Sequence, residues 1–209
     1  MNIAILLYDR LTALDAIGPY EVLSRLPGAR LTFVAAQAGP VRTDNGMLSL
    51  LAECSIEEVD QPDIVLVPGG PGEVDARAGG PALEWLRRAN DASTWTTSVC
   101  TGSLILAAAG LLEGRRATSH WLATERLREL GAEPVSERVV FDGKLVTAAG
   151  VSAGIDMALT LAARIAGDGV AQTIQLGIEY DPQPPFDAGS PAKAPAEIVA
   201  ALRGRSRFS

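Results

Sequence analysis

A cysteine placed between a strand and a helix is the residue of this sequence best suited to covalent chemistry. The β-branched run at residues 96–99 leads into Cys100-Thr101-Gly102-Ser103 and then into the apolar stretch 104–110. A thiol at the start of a helix meets unpaired N–H groups and the positive end of the helix dipole, which favour the thiolate. Strand–turn–helix joints also present the nucleophile of many hydrolases. We therefore predict that Cys100 is a reactive nucleophile rather than a buried core cysteine.

A carboxyl group is predicted at the same place in the fold. The apolar run 2–8 predicts a buried strand, and Asp15 lies where this strand passes into a first helix that ends near Leu26. By residue type alone Asp15 would cap the helix, but its position after the first strand places it at the same sheet edge as Cys100. Beside a thiolate its pKa would rise, so that it can stay protonated, donate a hydrogen bond to sulfur and act as a general acid.

Gly69, Gly70 and His120 have two interpretations each, and Cys54 has one. Gly69 and Gly70 end an apolar strand at 62–67 and form either a plain turn or, through the N–H groups of Gly70 and Thr101, an anion hole over the sulfur. His120 is the only histidine, and it is either the base of a cysteine–histidine pair or a structural or pocket-lining residue beside Trp121. Cys54 lacks the strand–helix joint and precedes what looks like a short capped helix, so we predict that it is structural.

The elements that must position these residues alternate between strands and helices. Strands at 31–36, 62–67 and 95–99 and helices at 81–89, 104–110, 121–130, 155–166 and 170–180 predict an α/β fold with a mostly parallel sheet. Asn45-Gly46 predicts a hairpin or a crossover, and Asp142-Gly143 predicts a hairpin. The tail from Phe186 is predicted to be irregular apart from a short helix at 196–202. No domain boundary is evident, so we expect residues 1–209 to form a single domain. Ligands of such sheets bind beyond the carboxyl ends of the strands, where Asp15, Gly69, Gly70 and Cys100 would meet.

Composition excludes several classes of function. The net charge of −7 and the isoelectric point near 4.8 argue against nucleic acid as the main partner. No apolar run is long enough to span a bilayer, so no membrane partner is expected. The two cysteines and single histidine lack the spacing of a disulfide or a metal site, which predicts a protein without metal in the reducing cytoplasm. The run 2–8 is predicted to be a core strand rather than a targeting leader.

Several short motifs resemble one family. Ser98-Val99-Cys100-Thr101-Gly102-Ser103, Pro68-Gly69-Gly70 and Ala117-Thr118-Ser119-His120-Trp121 resemble the ThiJ/PfpI superfamily. Within it, Leu14-Asp15 with Gly18-Pro19, Gly154-Ile155-Asp156 and Pro184-Pro185-Phe186 are similar to the isocyanide hydratase group. The resemblance implies a flavodoxin-like α/β sandwich, with helices on both faces of the sheet and the cysteine on a nucleophile elbow. Ligand-sensing domains of some transcription regulators share the Cys-Thr-Gly and His-Trp pieces.

The resemblance also implies roles for individual residues. Cys100 would be the nucleophile, Asp15 the acid beside it and Thr101 a catalytically important neighbour. Protease-like members have a histidine where Thr101 stands, so peptidase activity is not expected. The implied reaction adds water to a small isocyanide through a Cys100 thioimidate, without a cofactor, in a homodimer with Cys100 near the interface. Apolar residues such as Ile17 and Trp121 would hold the isocyanide substituent.

Two alternatives use the same cysteine for a different purpose. One is a glyoxalase-type hydratase of small dicarbonyls, although such members commonly use a glutamate and a histidine near the thiol. The other is a non-catalytic redox or ligand sensor, in which oxidation takes the thiolate to a sulfinate.

Overall fold

The computed structural model describes residues 1–208. The strands are β1 (Asn2–Leu6), β2 (Arg30–Ala35), β3 (Gly39–Arg42), β4 (Ser49–Ala52), β5 (Cys54–Ser55), β6 (Ile64–Val67), β7 (Trp95–Val99), β8 (Arg116–Ala117), β9 (Glu133–Pro134), β10 (Val139–Asp142) and β11 (Leu145–Ala148). The long central sheet has seven strands in the order β10-β11-β7-β6-β1-β2-β5. Every neighbouring pair in this sheet is parallel except β10 with β11. The predicted mostly parallel α/β fold is confirmed.

The helices cover both faces of the sheet. They are α1 (Ala13–Leu23), α2 (Glu73–Ala76), α3 (Pro81–Ala92), α4 (Gly102–Ala108), α5 (Thr124–Glu129), α6 (Ala153–Ala166), α7 (Asp168–Gly177) and α8 (Ala196–Gly204). Ile3 and Ile5 of β1 point into a core shared with α1, α6 and α7, whereas Ala4 and Leu6 point into a core shared with α3, α4 and α5. Because both faces are buried, β6 and residues 3–6 of β1 are apolar without alternation, whereas β7 carries the buried polar residues Thr96, Thr97 and Ser98.

Strand register brings three loops together at one edge of the sheet. Ile3 lies opposite Ile64 and Ile64 lies opposite Trp95, so the carboxyl ends of β1, β6 and β7 lie side by side. The loop before α1, the glycine loop after β6 and the turn before α4 therefore meet, as predicted for this class of sheet.

Of the hairpin and the crossover predicted at Asn45-Gly46, the structure has the hairpin, β3 with β4, and the predicted hairpin of β10 with β11 is also present. Residues 121–130 do not form one helix: they divide into a 3-10 turn at Trp121–Ala123 and α5. The His120 ring caps the start of the 3-10 turn by accepting a hydrogen bond from the Leu122 N–H. The short α2 and the small β8–β9 pair were not predicted, since segments of four and two residues carry too little periodicity to detect. Cys54 lies beside the predicted short helix, whose capping box joins Ser55 and Glu58.

No helix within residues 1–208 combines the length and the hydropathy required to cross a bilayer.

Candidate active site

Cys100 occupies a strained turn between β7 and α4. Its φ is +58°, a left-handed backbone conformation that residues other than glycine adopt rarely and at a cost of about 1–3 kcal/mol. Its N–H lies 3.0 Å from the Ala148 carbonyl oxygen and 2.9 Å from that of Ala149. Its carbonyl accepts hydrogen bonds from the hydroxyls of Ser103, at 3.2 Å, and Ser119, at 3.0 Å. These four contacts hold the backbone of the cysteine in the turn, and the predicted elbow is confirmed.

Asp15, on the first turn of α1, is fully buried. The Gly69 N–H donates to Oδ2 at 2.9 Å, whereas Oδ1 has no hydrogen-bond partner among the described residues. Burial raises the pKa of Asp15 to about 7, opposed by the Gly69 N–H and the neighbouring Cys100 thiol and assisted by the negative charge of Asp44. A group with a pKa near 7 can both accept and donate a proton at neutral pH.

The sulfur of Cys100 responds to the same surroundings. Burial, followed by the negative charge of Asp15, raises the pKa of Cys100 to about 12, while the backbone N–H groups of Val151 and Thr101 act to lower it. That the helix end favours the thiolate stays a prediction: the Val151 and Thr101 N–H groups act in that direction, and the desolvation of the sulfur acts against it. Burial and the charge of Asp15 therefore favour the thiol form of Cys100, beside a carboxyl group that can take its proton.

The glycine loop after β6 positions the site rather than covering the sulfur. The Gly70 N–H donates to Thr101 Oγ1 at 3.0 Å, so the predicted anion hole made with Gly70 is wrong, and the Val151 N–H has that place. Gly70 has φ +135°, and a Cβ there would lie 2.5 Å from the Thr12 backbone nitrogen. Only glycine is therefore accommodated at position 70. The loop links the two side chains, because the Gly69 N–H binds Asp15 and the Gly70 N–H binds Thr101.

His120 and Trp121 line a cavity beside the elbow. The His120 Nδ1 accepts a hydrogen bond from the Leu122 N–H at 3.3 Å, and no hydrogen bond within residues 1–208 joins the ring to Cys100. Burial, with a smaller effect of the Arg207 charge, lowers the pKa of His120 and keeps the ring neutral. The pocket-lining interpretation of His120 is therefore favoured over a cysteine–histidine pair.

The cavity has a volume of about 640 Å³. One wall consists of residues 149–152, which follow the strand that binds the Cys100 N–H, and another consists of residues 189–192 of the tail. Ile17 does not reach this cavity. It lies in a separate groove of about 430 Å³ with Leu14 and Ile155, so the expectation that Ile17 and Trp121 share one pocket is wrong in the single chain.

The sequence reasoning missed four residues of the site: Tyr8, Val151, Glu73 and Arg207. The Tyr8 hydroxyl donates to the Pro68 carbonyl at 2.8 Å. Burial raises the pKa of Tyr8, and the negative charges of Asp15, Cys100 and Glu73 raise it further. Tyr8 ends the predicted first strand and was detectable from that position, whereas Arg207 lies 137 residues beyond its partner Gly70, with no local signal. No cluster of three or more His, Cys, Asp or Glu side chains suited to a metal ion occurs within residues 1–208.

Comparison with known proteins extends over nearly the whole chain. The sequence profile of the DJ-1/PfpI family matches residues 1–164. Isonitrile hydratase of Pseudomonas putida is 44% identical over 206 residues, covering 99% of this chain and 90% of that protein. The HTH-type transcriptional regulator CdhR of Pseudomonas aeruginosa is 35% identical over 162 residues, 75% of this chain and 47% of the regulator.

A crystal structure of a ThiJ/PfpI family protein from Pseudomonas syringae superposes with a TM-score of 0.94 at 38% identity, covering 97% of this chain and 84% of the other. The profile match and the elbow geometry lead to the same conclusion: the chain belongs to the DJ-1/PfpI family.

Proposed function

We propose that the protein hydrates isocyanides to N-substituted formamides, with Cys100 as nucleophile and Asp15 as the acid and base. One observation carries the proposal: the buried Asp15 Oδ1 has no hydrogen-bond partner among residues 1–208, beside a thiol held in a strained turn. The 44% identity to a protein named isonitrile hydratase, over 99% of this chain, supports the same reaction.

In the first half of the reaction, the Asp15 carboxylate takes the thiol proton and sulfur attacks the terminal carbon of the isocyanide. Asp15 then gives this proton to that carbon, which leaves a thioimidate, R–N=CH–S–Cys100, and regenerates the carboxylate. The Val151 and Thr101 N–H groups stabilise negative charge on sulfur during the attack. Thr101 also accepts the Gly70 N–H, so it holds the loop that orients Asp15.

In the second half, the Asp15 carboxylate takes a proton from water while the hydroxide adds to the thioimidate carbon. The same proton passes to nitrogen, giving R–NH–CH(OH)–S–Cys100. Asp15 then takes the hydroxyl proton as the carbon–sulfur bond breaks, and gives it to the departing sulfur. The products are R–NH–CHO and the Cys100 thiol, so one water is consumed and each stage begins and ends with a carboxylate. Such alternation suits a group with a pKa of about 7.

The substituent of the isocyanide is assigned to the 640 Å³ cavity beside His120 and Trp121. The Trp121 ring supplies apolar surface, and the neutral His120 adds no charge next to an uncharged substrate. The reaction requires no metal or organic cofactor.

The test is turnover of an alkyl isocyanide, such as cyclohexyl isocyanide, with the formamide measured by chromatography. Wild type should form the formamide, Cys100→Ala should form none, and Asp15→Asn should lose most of its rate. An inactive wild type, or equal rates in wild type and Cys100→Ala, rejects the proposal. Methylglyoxal assayed in parallel tests the dicarbonyl hydratase alternative, and the intact mass after mild peroxide tests the sensor alternative.

We further propose that the protein acts as a homodimer in the cytoplasm. The groove of Leu14, Ile17 and Ile155 supports a dimer, because it exposes apolar surface on the helix that carries Asp15. Leu14 is 43% exposed in the single chain. The free thiols of Cys54 and Cys100 suit a reducing compartment. Sedimentation should give a dimer for wild type and a monomer for Leu14→Glu, and cell fractionation tests the compartment.

A further inference from the structure

An arginine far along the chain contacts the loop that holds the catalytic groups. Arg207 Nη2 donates to the Gly70 carbonyl at 3.1 Å, across 137 residues of sequence. The same carbonyl accepts the Glu73 N–H at 3.1 Å. The Arg207 guanidinium also lies 4.5 Å from the centre of the Phe208 ring, and Phe208 packs against the core shared with α3, α4 and α5. The arginine is therefore attached to the body of the protein by its neighbour.

The peptide groups that Arg207 contacts are those that orient the reacting side chains. The Gly70 N–H donates to Thr101 Oγ1, and the N–H of the adjacent Gly69 donates to Asp15 Oδ2. A shift of the Gly70 carbonyl would move the N–H groups of both Gly69 and Gly70, because the loop is packed closely against its neighbours. A Cβ at Gly69 would lie 2.5 Å from the Thr101 nitrogen, and one at Gly70 would lie 2.6 Å from the Arg10 carbonyl.

A buried carboxylate gives Arg207 a second partner. Glu73 is fully buried at the start of α2, and its Oε2 accepts a hydrogen bond from Arg77 Nε at 2.7 Å. Its Oε1 has no hydrogen-bond partner within residues 1–208 and lies 3.6 Å from the Arg207 guanidinium. A buried carboxylate left without sufficient positive charge is costly, so Arg207 and Arg77 together stabilise Glu73 next to the catalytic loop.

Arg207 also lies outside the part of the chain that the family profile matches, which ends at residue 164. The guanidinium is not part of the wall of the 640 Å³ cavity. Its contribution is therefore expected in the geometry of the reacting groups rather than in the binding of the isocyanide substituent.

We propose that Arg207 is a positioning residue, which holds the Gly69–Gly70 loop through the Gly70 carbonyl and Glu73 and so orients Asp15 and Thr101 for the reaction. This inference rests on the proposed isocyanide hydration for its kinetic test. It has a second test, the reactivity of the Cys100 thiol, which does not depend on the substrate.

The experiment compares wild type with Arg207→Ala, Arg207→Lys and the control Arg205→Ala, which removes an exposed arginine of the same segment. Arg207→Ala should lower kcat about ten- to a hundredfold and leave KM within about twofold, the size of effect expected when reacting groups are displaced. Arg207→Lys should recover part of kcat, because the ammonium still reaches one partner. Arg205→Ala should match wild type.

The second measurement is the rate of Cys100 alkylation by iodoacetamide as a function of pH, with the site of alkylation identified by mass spectrometry. Loss of Arg207 should weaken the Gly69 N–H contact that lowers the pKa of Asp15. The midpoint of the alkylation profile should then move to higher pH, and Arg207→Lys should lie between Arg207→Ala and wild type.

Two results overturn the inference. One is an Arg207→Ala variant with the kcat, KM and alkylation midpoint of Arg205→Ala. The other is an Arg207→Ala variant whose only change is a higher KM. If Arg207→Ala does not fold, Arg207→Lys decides between the same outcomes. A wild type without isocyanide turnover rejects the proposed function, and the alkylation midpoints then decide on Arg207.

Discussion

The Gly69 amide donates to Asp15 Oδ2 at 2.9 Å, while Asp15 Oδ1 has no such partner within residues 1–208. The two oxygens of the Asp15 carboxyl group therefore differ in their hydrogen bonding. The Gly69 contact at Oδ2 fixes the orientation of the side chain, and in the proposed mechanism Oδ1 exchanges the proton. The peptide N–H favours the charged form, whereas burial favours the neutral form, and burial is the larger effect.

The first prediction concerns stability and pH in Asp15→Asn. The pKa of Asp15 rises from 3.8 to about 7 on folding, so between these values the folded protein binds more protons than the unfolded chain. Wild-type stability therefore falls as pH rises from about 4 to about 7 and stays lower above that. Asp15→Asn lacks this loss, so it should be more stable than wild type at pH 8, by up to about 4 kcal/mol.

This difference should shrink towards pH 4, and urea unfolding of the two proteins at pH 4, 6 and 8 measures it. The matched control is Asp9→Asn, which changes an exposed aspartate of the preceding loop. An Asp15→Asn variant with the same advantage at every pH would contradict the assigned protonation change.

The second prediction is the pH dependence of turnover. In the proposed mechanism the thiol of Cys100, whose pKa is raised to about 12, reacts only after Asp15 has taken its proton. The rate should therefore fall as the pH drops through about 7 and Asp15 becomes protonated. A profile of kcat/KM from pH 5 to 9 checks this. Asp15→Asn should lose the step near pH 7, and a variant that kept it would assign the step to another group.

The third prediction concerns the Thr101 hydroxyl, which accepts the Gly70 N–H in a buried position. Thr101→Val keeps the shape of the side chain and leaves that N–H without its acceptor, which should cost about 1–3 kcal/mol of folding free energy. Thr101→Ser retains the hydroxyl and should recover most of it. Chemical unfolding and kcat measured on both variants separate the hydroxyl from the methyl group, and equal behaviour of Val and Ser contradicts the assigned role.

The fourth prediction is that Gly69→Ala displaces Thr101 or Asp15, two of the proposed catalytic residues. The added Cβ would lie 2.5 Å from the Thr101 nitrogen and 2.9 Å from Asp15 Oδ2, so one of these groups must move. Turnover should fall about a hundredfold. Gly169→Ala is the control, because Gly169 lies in α7 and an added Cβ there meets no atom within 4 Å. The control should retain activity and gain a little stability from better helix propensity.

The fifth prediction concerns substrate size. Trp121 lines the 640 Å³ cavity, so Trp121→Ala should raise KM for a bulky isocyanide more than for methyl isocyanide. A loss of contact surface for the large substituent causes the difference. Leu176→Ala removes a large apolar side chain that is 81% exposed and should change neither constant. Equal KM increases for both substrates would indicate a general disturbance of the site.

The convergence of the catalytic loops was predictable from sequence for a simple reason. Apolar runs without polar interruptions mark strands covered on both faces, and parallel strands align their carboxyl ends. The sequence alone therefore predicts that Asp15 and Cys100 lie at one edge of the sheet. The small residues after Cys100 also predicted the elbow, because only a short turn fits between β7 and α4.

The partners of the sulfur and of the glycine loop were not predictable in the same way. Which N–H group faces Cys100 depends on local backbone angles, so the sequence analysis named Gly70 with Thr101 and missed Val151. The pKa of Cys100 depends on how much water the packed fold removes, a property of the whole assembly and not of the helix end. Arg207 reaches its partner only through tertiary packing, and no periodicity or motif predicts such a contact.

The long-range contact between Arg207 and Gly70 also bears on how the protein folds. Bringing together two residues that are 137 positions apart costs chain entropy, which one hydrogen bond cannot offset. The contact between Arg207 and Gly70 should therefore form late in folding. The sheet and its helices can assemble while the glycine loop still lacks its anchor. Refolding chains would then acquire native secondary structure before they acquire a competent cysteine, and recovery of thiol reactivity would follow recovery of the far-ultraviolet signal.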